Sequence, residues 1–364
     1  MTPTKTDITA LSRGRLDAWL AERDIAPFRG EQIRRWIFNA QADSFEEMTN
    51  IKKDIRELLA EHFTIPRLRV VTVENSRDGC CKFLFELTDG HRIESVLIPE
   101  RTHDTVCISS QVGCAQGCRF CLTSDMGFIR NLTAGEILAQ VRDIKHSLGE
   151  ENKLTNIVFM GMGEPLANCE NVRTAIDTLV EEGEGMGFSP RKITVSTCGL
   201  VPKLATLADE PQVQIAVSLN AVDNETRTRL MPINRKYPIE TLLEACWSLP
   251  LAPRRKVTFE YILMKGVNDS EAHARKLAHL LRASKAKVNL IPFNPHNGCD
   301  FQRPDEGAVL KFQNILLNSK FTTNIRVSKG TDISAACGQL RAKRTELDRH
   351  KDTKAQGLES SSPL

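Results

Sequence analysis

The chain has 364 residues, 41% hydrophobic and 26% charged, with a formal net charge of only +3: it can bury a substantial core, and no whole segment is a basic arm. No apolar run approaches the roughly 18 residues of a membrane span, and the polar first residues do not read as a leader, so a cytoplasmic chain with no membrane partner is expected. In a reducing compartment, eleven cysteines point to metal or redox chemistry and away from a disulfide framework.

Residues 1–65 read as a helical accessory domain. Ser12 can cap a helix presenting Leu16, Trp19 and Leu20; Gly30 precedes a second with Ile33, Trp36 and Ile37; Ser44 opens a third with Met48, Ile51, Ile55, Leu58 and Leu59. Arg29, Arg34, Arg35, Lys52, Lys53 and Arg56 lie on or beside the polar faces and suit phosphates. Glu31, Glu46, Glu47 and Asp54 are interleaved, so a plain solvated surface is an equal reading.

Residues 66–104 carry three period-two runs, at 68–74, 82–87 and 92–98, joined through Arg77-Asp-Gly79 and Asp89-Gly90. They predict a small antiparallel β extension. Glu94 lies on its last strand, where a lone Glu faces solvent more often than it acts as a base.

From residue 105 to 340 strands and helices alternate. Strands are expected near 105–109, 156–160, 193–196, 213–219, 257–262 and 288–291, with helices between them. The fold class is therefore α/β, an open partial (β/α)6 barrel with its chemistry at the carboxyl ends of the strands. Residues 341–364 are polar and aperiodic and read as a disordered tail or frayed helix.

The dense feature is Cys107-Ile-Ser-Ser-Gln-Val-Gly-Cys114-Ala-Gln-Gly-Cys118-Arg-Phe-Cys121, after the first barrel strand. Thiolates select iron-sulfur clusters, zinc or copper(I). A zinc site using all four cysteines is the alternative, but zinc modules usually pair two C-x2-C knuckles and only one is present. The triplet Cys114, Cys118 and Cys121 instead suits a four-iron cluster with one iron left free. After the next strand comes Gly161-Met-Gly-Glu-Pro165, where Gly163 allows close backbone approach and Glu164 offers an acceptor for an ammonium group. Ser196, and Ser218-Leu219-Asn220, end the following strands with polar groups that singly are ordinary loop residues. Cys337 stands between small residues near the end of the barrel; a buried small hydrophobe and a reachable sulfur are equal readings.

The triplet spacing resembles the radical S-adenosylmethionine (SAM) superfamily. With 161–165, Ser196-Thr-Cys-Gly-Leu-Val-Pro202, Ser218-Leu-Asn-Ala221, Leu230-Met-Pro-Ile-Asn234, Glu260-Tyr-Ile-Leu263, Gly266-Val-Asn-Asp269, Ile291-Pro-Phe-Asn-Pro295 and Ala335-Ala-Cys-Gly-Gln-Leu340, the chain resembles the radical SAM RNA methyltransferases of the RlmN and Cfr family, the RlmN branch more closely, over about residues 10–340.

That resemblance implies one [4Fe-4S] cluster on Cys114, Cys118 and Cys121, and two SAM molecules consumed per methylation of adenine C2 in 23S rRNA and tRNA. It implies that Cys337 takes a methyl from SAM, that a SAM-derived radical activates this S-methyl group, that the carbon joins adenine C2, and that Cys107 resolves the protein-RNA bond by forming a disulfide. Glu94 matches a proton acceptor, and Gly163, Glu164, Ser196, Ser218, Leu219, Asn220 and Asn294 match SAM contacts. Asn220 departs from the His common in the family, and Cys198 and Cys299 are extra thiols read as incidental. A flavodoxin- or ferredoxin-like reductant and a monomeric chain are expected. The clusters Arg227/Arg229, Arg235/Lys236 and Arg254/Arg255/Lys256 are expected to hold RNA phosphates while the target base flips out. The competing readings are methylation at C8, a non-catalytic metal-stabilised RNA-binding module, and a radical SAM activase or peptide modifier.

Overall fold

The computed structural model describes residues 5–149, 153–209, 211–253, 255–282, 286–296 and 299–342. The expected tail from 343 onward and Arg254 lie outside the described residues.

The N-terminal unit packs α1 (Arg13–Ala21), α2 (Phe28–Phe38) and α3 (Lys53–His62), closed by a two-residue parallel pairing of β1 (Thr6–Asp7) with β2 (Phe63–Thr64). Ser12 caps α1 by accepting from the Arg15 N–H. Gly30 lies inside α2, where a Cβ would stand 2.4 Å from Asp17 Oδ1, so its missing side chain lets the first two helices meet. The helix expected from Ser44 does not form there. The Glu47 carboxylate turns back to accept from the Asp43 and Ser44 N–H groups and the Ser44 hydroxyl, which fixes a turn. Met48 and Ile51 are buried from that turn, and the helix starts only at Lys53.

The rest of the chain is built on one ten-stranded sheet. Its antiparallel part comprises β3 (Arg69–Asn75), β4 (Cys81–Glu86) and β5 (Arg92–Pro99). These strands continue the barrel sheet directly, because β5 pairs antiparallel with β6 (Asp104–Cys107). A short hairpin of β7 (Gln111–Gly113) and β8 (Phe128–Asn131) frames the cysteine loop, which holds α4 (Leu122–Asp125). The alternation then runs α5 (Ala134–Leu148), β9 (Leu154–Phe159), α6 (Cys169–Val180), β10 (Ile193–Thr197), α7 (Val201–Leu204), β11 (Gln214–Ser218), α8 (Asn224–Leu230), α9 (Ile239–Trp247), β12 (Thr258–Leu263), α10 (Glu271–Leu281), β13 (Lys287–Pro292), α11 (Glu306–Asn318) and β14 (Thr322–Ile325).

From β6 through β14 all neighbours are parallel. This makes seven parallel strands where six were expected. The polar Thr322-Thr-Asn-Ile325 has little strand signal of its own and is recruited by pairing with β13. The sheet stays open, with β14 and β3 at its edges.

Each parallel strand has two unlike faces. Ile157 and Phe159, Ile215 and Val217, Phe259 and Tyr261, and Val288 and Leu290 are buried in the hydrophobic core. The alternate residues Asn156, Gln214, Thr258, Glu260 and Asn289 line a cavity instead. Parallel strands covered on both faces carry near-continuous apolar runs, so this period-two polarity marks the hollow inner side of the barrel. No described helix is long and apolar enough to cross a membrane.

Candidate active site

The cysteine loop is held at its base by the Cys114 N–H donating to Gly127 O at 2.9 Å and in its middle by the Cys121 N–H donating to Cys118 O at 3.2 Å. Burial is the leading cause that raises all three thiol pKa values, Cys114 to about 12, and neighbouring cysteines of the triplet add to it at Cys114 and Cys118. A metal centre would reverse this by supplying positive charge to the thiolates. Among the described residues, no three His, Cys, Asp or Glu side chains converge as the ligands of a single ion do. Three soft thiols on one loop, within one another's field, fit a cluster whose irons each take one of them.

Beside the loop, Gly163 has a φ of +97° and leaves room for Gln111, which a Cβ would approach to 2.5 Å. Glu164 is buried, and its carboxylate joins two strand ends: one oxygen accepts from Leu166 N at 3.0 Å and the other from Cys198 N at 2.8 Å. Its remaining lone pairs can still accept from an ammonium group. Ser196 and Ser218 lie on the inner face at the ends of β10 and β11. Asn220 is fully buried with a φ of +58°, and its side chain is committed to the protein, accepting from Ile262 N at 2.8 Å and donating toward Met231 sulfur. Asn294 is buried and accepts from Arg303 through its carbonyl oxygen at 3.3 Å.

Cys198, read as incidental, touches the loop itself: its thiol faces Gln116 Oε1 at 3.5 Å and lies in the field of Glu164, Cys118 and Cys114. Cys299 is a half-buried neighbour whose thiol points at Arg119 O.

The segment carrying Cys337 is fastened on every side. Leu122 N donates to Gly338 O at 2.8 Å, Thr123 Oγ1 to Leu340 O at 2.7 Å and Gln339 Nε2 to Pro295 O at 3.1 Å. These bonds bring Cys337 beside the cysteine loop, and its thiol is exposed, facing a cavity of about 720 Å³ that Cys107 also lines. The two sulfurs feel each other: burial raises the Cys107 pKa first and Cys337 raises it further. Although Cys337 opens onto the cavity, the protein walls around that cavity, and then Glu260, push its thiol up to about 11.

Glu94 is buried, against the expectation for a lone strand Glu. One oxygen lies 3.6 Å from Lys82 Nζ and the other accepts from Arg341 N at 2.7 Å, just past the Cys337 segment. Lys82 donates to Ile333 O at 2.7 Å on the near side of that segment. Burial raises the Glu94 pKa, and Lys82 opposes the rise.

Two of the expected phosphate contacts are internal. Arg227 is fully buried, with its guanidinium spent on Leu219 O, Cys198 O, Ser218 O, Tyr237 O and Asn234 Oδ1. It fastens the ends of β10 and β11. Arg34 is buried and pairs with Glu181 at 2.6 Å, tying α2 to the end of α6. Arg229, Arg235 and Lys236 remain exposed, and Arg255 and Lys256 are half-buried.

The inner-face residues Glu260, Asn289 and Arg326 escaped the sequence reading. Their signal was the polar alternation on otherwise apolar strands. Glu260 Oε1 accepts from Asn289 Nδ2 at 2.8 Å, and burial pushes its carboxyl up to about 7.

Comparisons with known proteins match this geometry. Residues 108–278 match the radical SAM superfamily and residues 6–65 the ribosomal RNA large subunit methyltransferase N-terminal domain. The chain is 56% identical over 336 residues to the dual-specificity RNA methyltransferase RlmN of Desulfosudis oleivorans, covering 92% of this chain and 91% of that one. It is 49% identical to the protein of the same name from Syntrophobacter fumaroxidans, covering 89% and 95%. A crystal structure of a radical SAM methyltransferase from Sphaerobacter thermophilus superposes with a TM-score of 0.87 at 45% identity, covering 93% of this chain and all of that one.

Proposed function

The chain belongs to the RlmN family of radical SAM RNA methyltransferases, and from that premise we propose that it methylates C2 of an adenosine in 23S rRNA and in tRNA, with Cys337 carrying the methyl group. The observation that carries this reading is the shared cavity: Cys337 and Cys107, far apart in sequence, line one space beside the cysteine loop.

Cys114, Cys118 and Cys121 would hold the [4Fe-4S] cluster, with Gly163, Glu164, Ser196, Ser218, Leu219 and Asn294 around SAM. When bound, these groups supply the methyl and the reductively generated radical that the electron-poor C2 of adenine requires. Asn220 is better assigned to shaping that wall than to touching SAM through its side chain, since both side-chain ends have protein partners.

The protein's own part begins at Cys337. Its raised pKa means that the proton must leave before or as the sulfur takes its methyl. The bonds on either side of Cys337 keep the sulfur at the cavity wall, which favours a defined approach to the base. Cys107, once deprotonated, attacks the Cys337 sulfur, so the carbon leaves with the RNA and a disulfide remains for an external flavodoxin- or ferredoxin-like reductant. Glu94 is assigned the proton-accepting role with Lys82 as its partner. The exposed Arg191, Lys192 and Arg326 are among the residues that line the cavity and could meet a flipped nucleotide's phosphates. Cytoplasmic location follows from such substrates.

The test is anaerobic turnover on ribosomal and transfer RNA with mass spectrometry of the nucleosides. 2-Methyladenosine is expected, and 8-methyladenosine would overturn the assignment. In the same assay Cys107→Ala should retain its iron and accumulate a protein-RNA crosslink, whereas loss of iron would make Cys107 a ligand.

A further inference from the structure

The cavity beside Cys337 is built to hold more than two sulfurs. Its walls include Thr105 and Cys107 on β6, Asn156 and Val158 on β9, and Glu260 and Asn289 on β12 and β13. None of Gly163, Glu164, Ser196, Ser218, Leu219, Asn220 or Asn294 lines it. The space is therefore distinct from the residues assigned to SAM, shares Cys337 as a wall, and counts Arg191, Lys192 and Arg326 in its lining. A volume of about 720 Å³ is well within the range of a small-molecule pocket and admits a purine.

Glu260 is the acidic group on that wall. In register it has Ser218 on one side and Asn289 on the other, so its side chain points to the same inner face as a serine assigned to the cofactor. Asn289 Nδ2 fixes Oε1 at 2.8 Å. No hydrogen bond of the described residues engages Oε2, and Arg326, which lines the same cavity, is the charged group that acts on this carboxyl. A carboxyl that lines a cavity with one oxygen braced and the other not engaged can accept from a ligand's donor. Glu94 contrasts with it, since both its oxygens already face Lys82 and Arg341 N. Glu260 is also the leading charged influence on the Cys337 thiol, which puts the two groups across one small space.

An adenine whose C2 lies at the Cys337 sulfur presents one strong donor of its own, the exocyclic amino group, and ring nitrogens that accept. A carboxyl braced by an amide matches that edge: the carboxyl accepts from the amino group, and such amino and ring-nitrogen pairs are the usual means of telling adenine from other bases. We infer that Glu260, braced by Asn289, is the residue that reads the amino group of the target adenine inside this cavity, a specificity role that rests on the methyltransferase reading above.

The experiment uses the reconstituted holoenzyme, as wild type, Glu260→Ala and Glu260→Gln. Its substrates are two versions of one RNA hairpin, with adenosine or purine riboside, which lacks the amino group, at the target position. Affinity is read by fluorescence anisotropy, turnover by product analysis, and Cys337 methylation without RNA by intact mass. On adenosine RNA, Glu260→Ala should lose roughly ten- to hundred-fold in kcat/KM and weaken binding, the range for one hydrogen bond to a charged group. On purine RNA it should match wild type in affinity, and Cys337 methylation should be no slower than in wild type, since losing the Glu260 charge eases deprotonation of the thiol. Glu260→Gln, which keeps an acceptor, should recover much of the loss. An equal loss on both RNAs, or a fall in Cys337 methylation, would overturn the assignment and make Glu260 a structural or SAM-contacting group. If the wild type bound both RNAs but made no 2-methyladenosine, the C2 reading would fall, while the affinity comparison would still decide the role of Glu260.

Discussion

Arg227 tests whether buried charge in this barrel serves architecture or RNA. Replacing it by Met removes five hydrogen bonds, to Leu219 O, Asn234 Oδ1, Tyr237 O, Cys198 O and Ser218 O. Each acceptor left dry inside the fold costs about 1–3 kcal/mol. Part of that is returned because the variant no longer buries a charge, and burial is the leading influence lowering the Arg227 pKa. The net loss should be about 3–5 kcal/mol, a large share of a typical stability, and for a chain of 364 residues a fall in Tm of about 5 °C. Three of the freed carbonyls belong to the ends of β10 and β11 and the turns after them, so SAM affinity should fall in parallel. Chemical denaturation and RNA binding across a salt series, both on iron-loaded protein, measure the two readings together. The variant should lose stability while the slope of RNA affinity against salt stays that of the wild type. Wild-type stability with a slope shallower by about one phosphate contact would refute the argument and return Arg227 to the RNA surface.

Two other perturbations probe the site separately. Gly163→Ala combines a φ of +97° with a Cβ placed 2.5 Å from Gln111 Cβ, and Gln111 holds the Glu164 N–H at 2.8 Å. SAM affinity by equilibrium dialysis should drop at least about ten-fold, as expected when strain of this kind displaces a ligand wall; unchanged affinity would show that the turn is not where SAM binds. Glu260→Gln should alter the pH dependence of stability. The carboxyl pKa rises from the ordinary 4.5 to about 7 on folding, so between those values the folded state keeps a proton that the unfolded state has lost. The stability that this one group contributes to the wild type is then fully present below 4.5 and is lost as pH rises to about 7, by up to about 3 kcal/mol. Denaturation of both proteins from pH 5 to 8 should show the difference moving in favour of Gln with rising pH, and a flat difference would mean that Glu260 ionises freely.

What could be read in the sequence was whatever local spacing or period encodes. The C-x3-C-x2-C run, the glycine turn at 161–163 and the strand-helix alternation each arise from neighbours in the chain, and the fold keeps them. The failures have one physical source: a side chain's environment is set by residues distant in sequence. Arg227 looks like a surface cation until the ends of β10 and β11 surround it with carbonyls, and Glu94 looks solvated until Lys82 and the segment after Cys337 cover it. β14 was missed because its polar residues become a strand only by pairing with β13. Cys198 was set aside because nothing near it in sequence announces that its backbone N–H meets Glu164.

The inner face of the barrel was legible in principle, and its logic explains why the thiols divide as they do. A parallel sheet with helices on one side and a hollow on the other must alternate apolar and polar residues, so any reactive side chain at an inward position joins the hollow. Cys107 ends β6 and lines the cavity, whereas Cys114, Cys118 and Cys121 follow the strand on a loop that projects beyond it. Closeness in sequence therefore misleads within the cysteine run: fewer than ten residues separate Cys107 from Cys114, yet the strand's end puts them in different chemical settings. Cys337 approaches from the opposite end of the chain and is fastened to the loop through Leu122 and Thr123. It thereby adjoins both settings, as a sulfur must if it is to receive a methyl group on one side and surrender it to a base on the other.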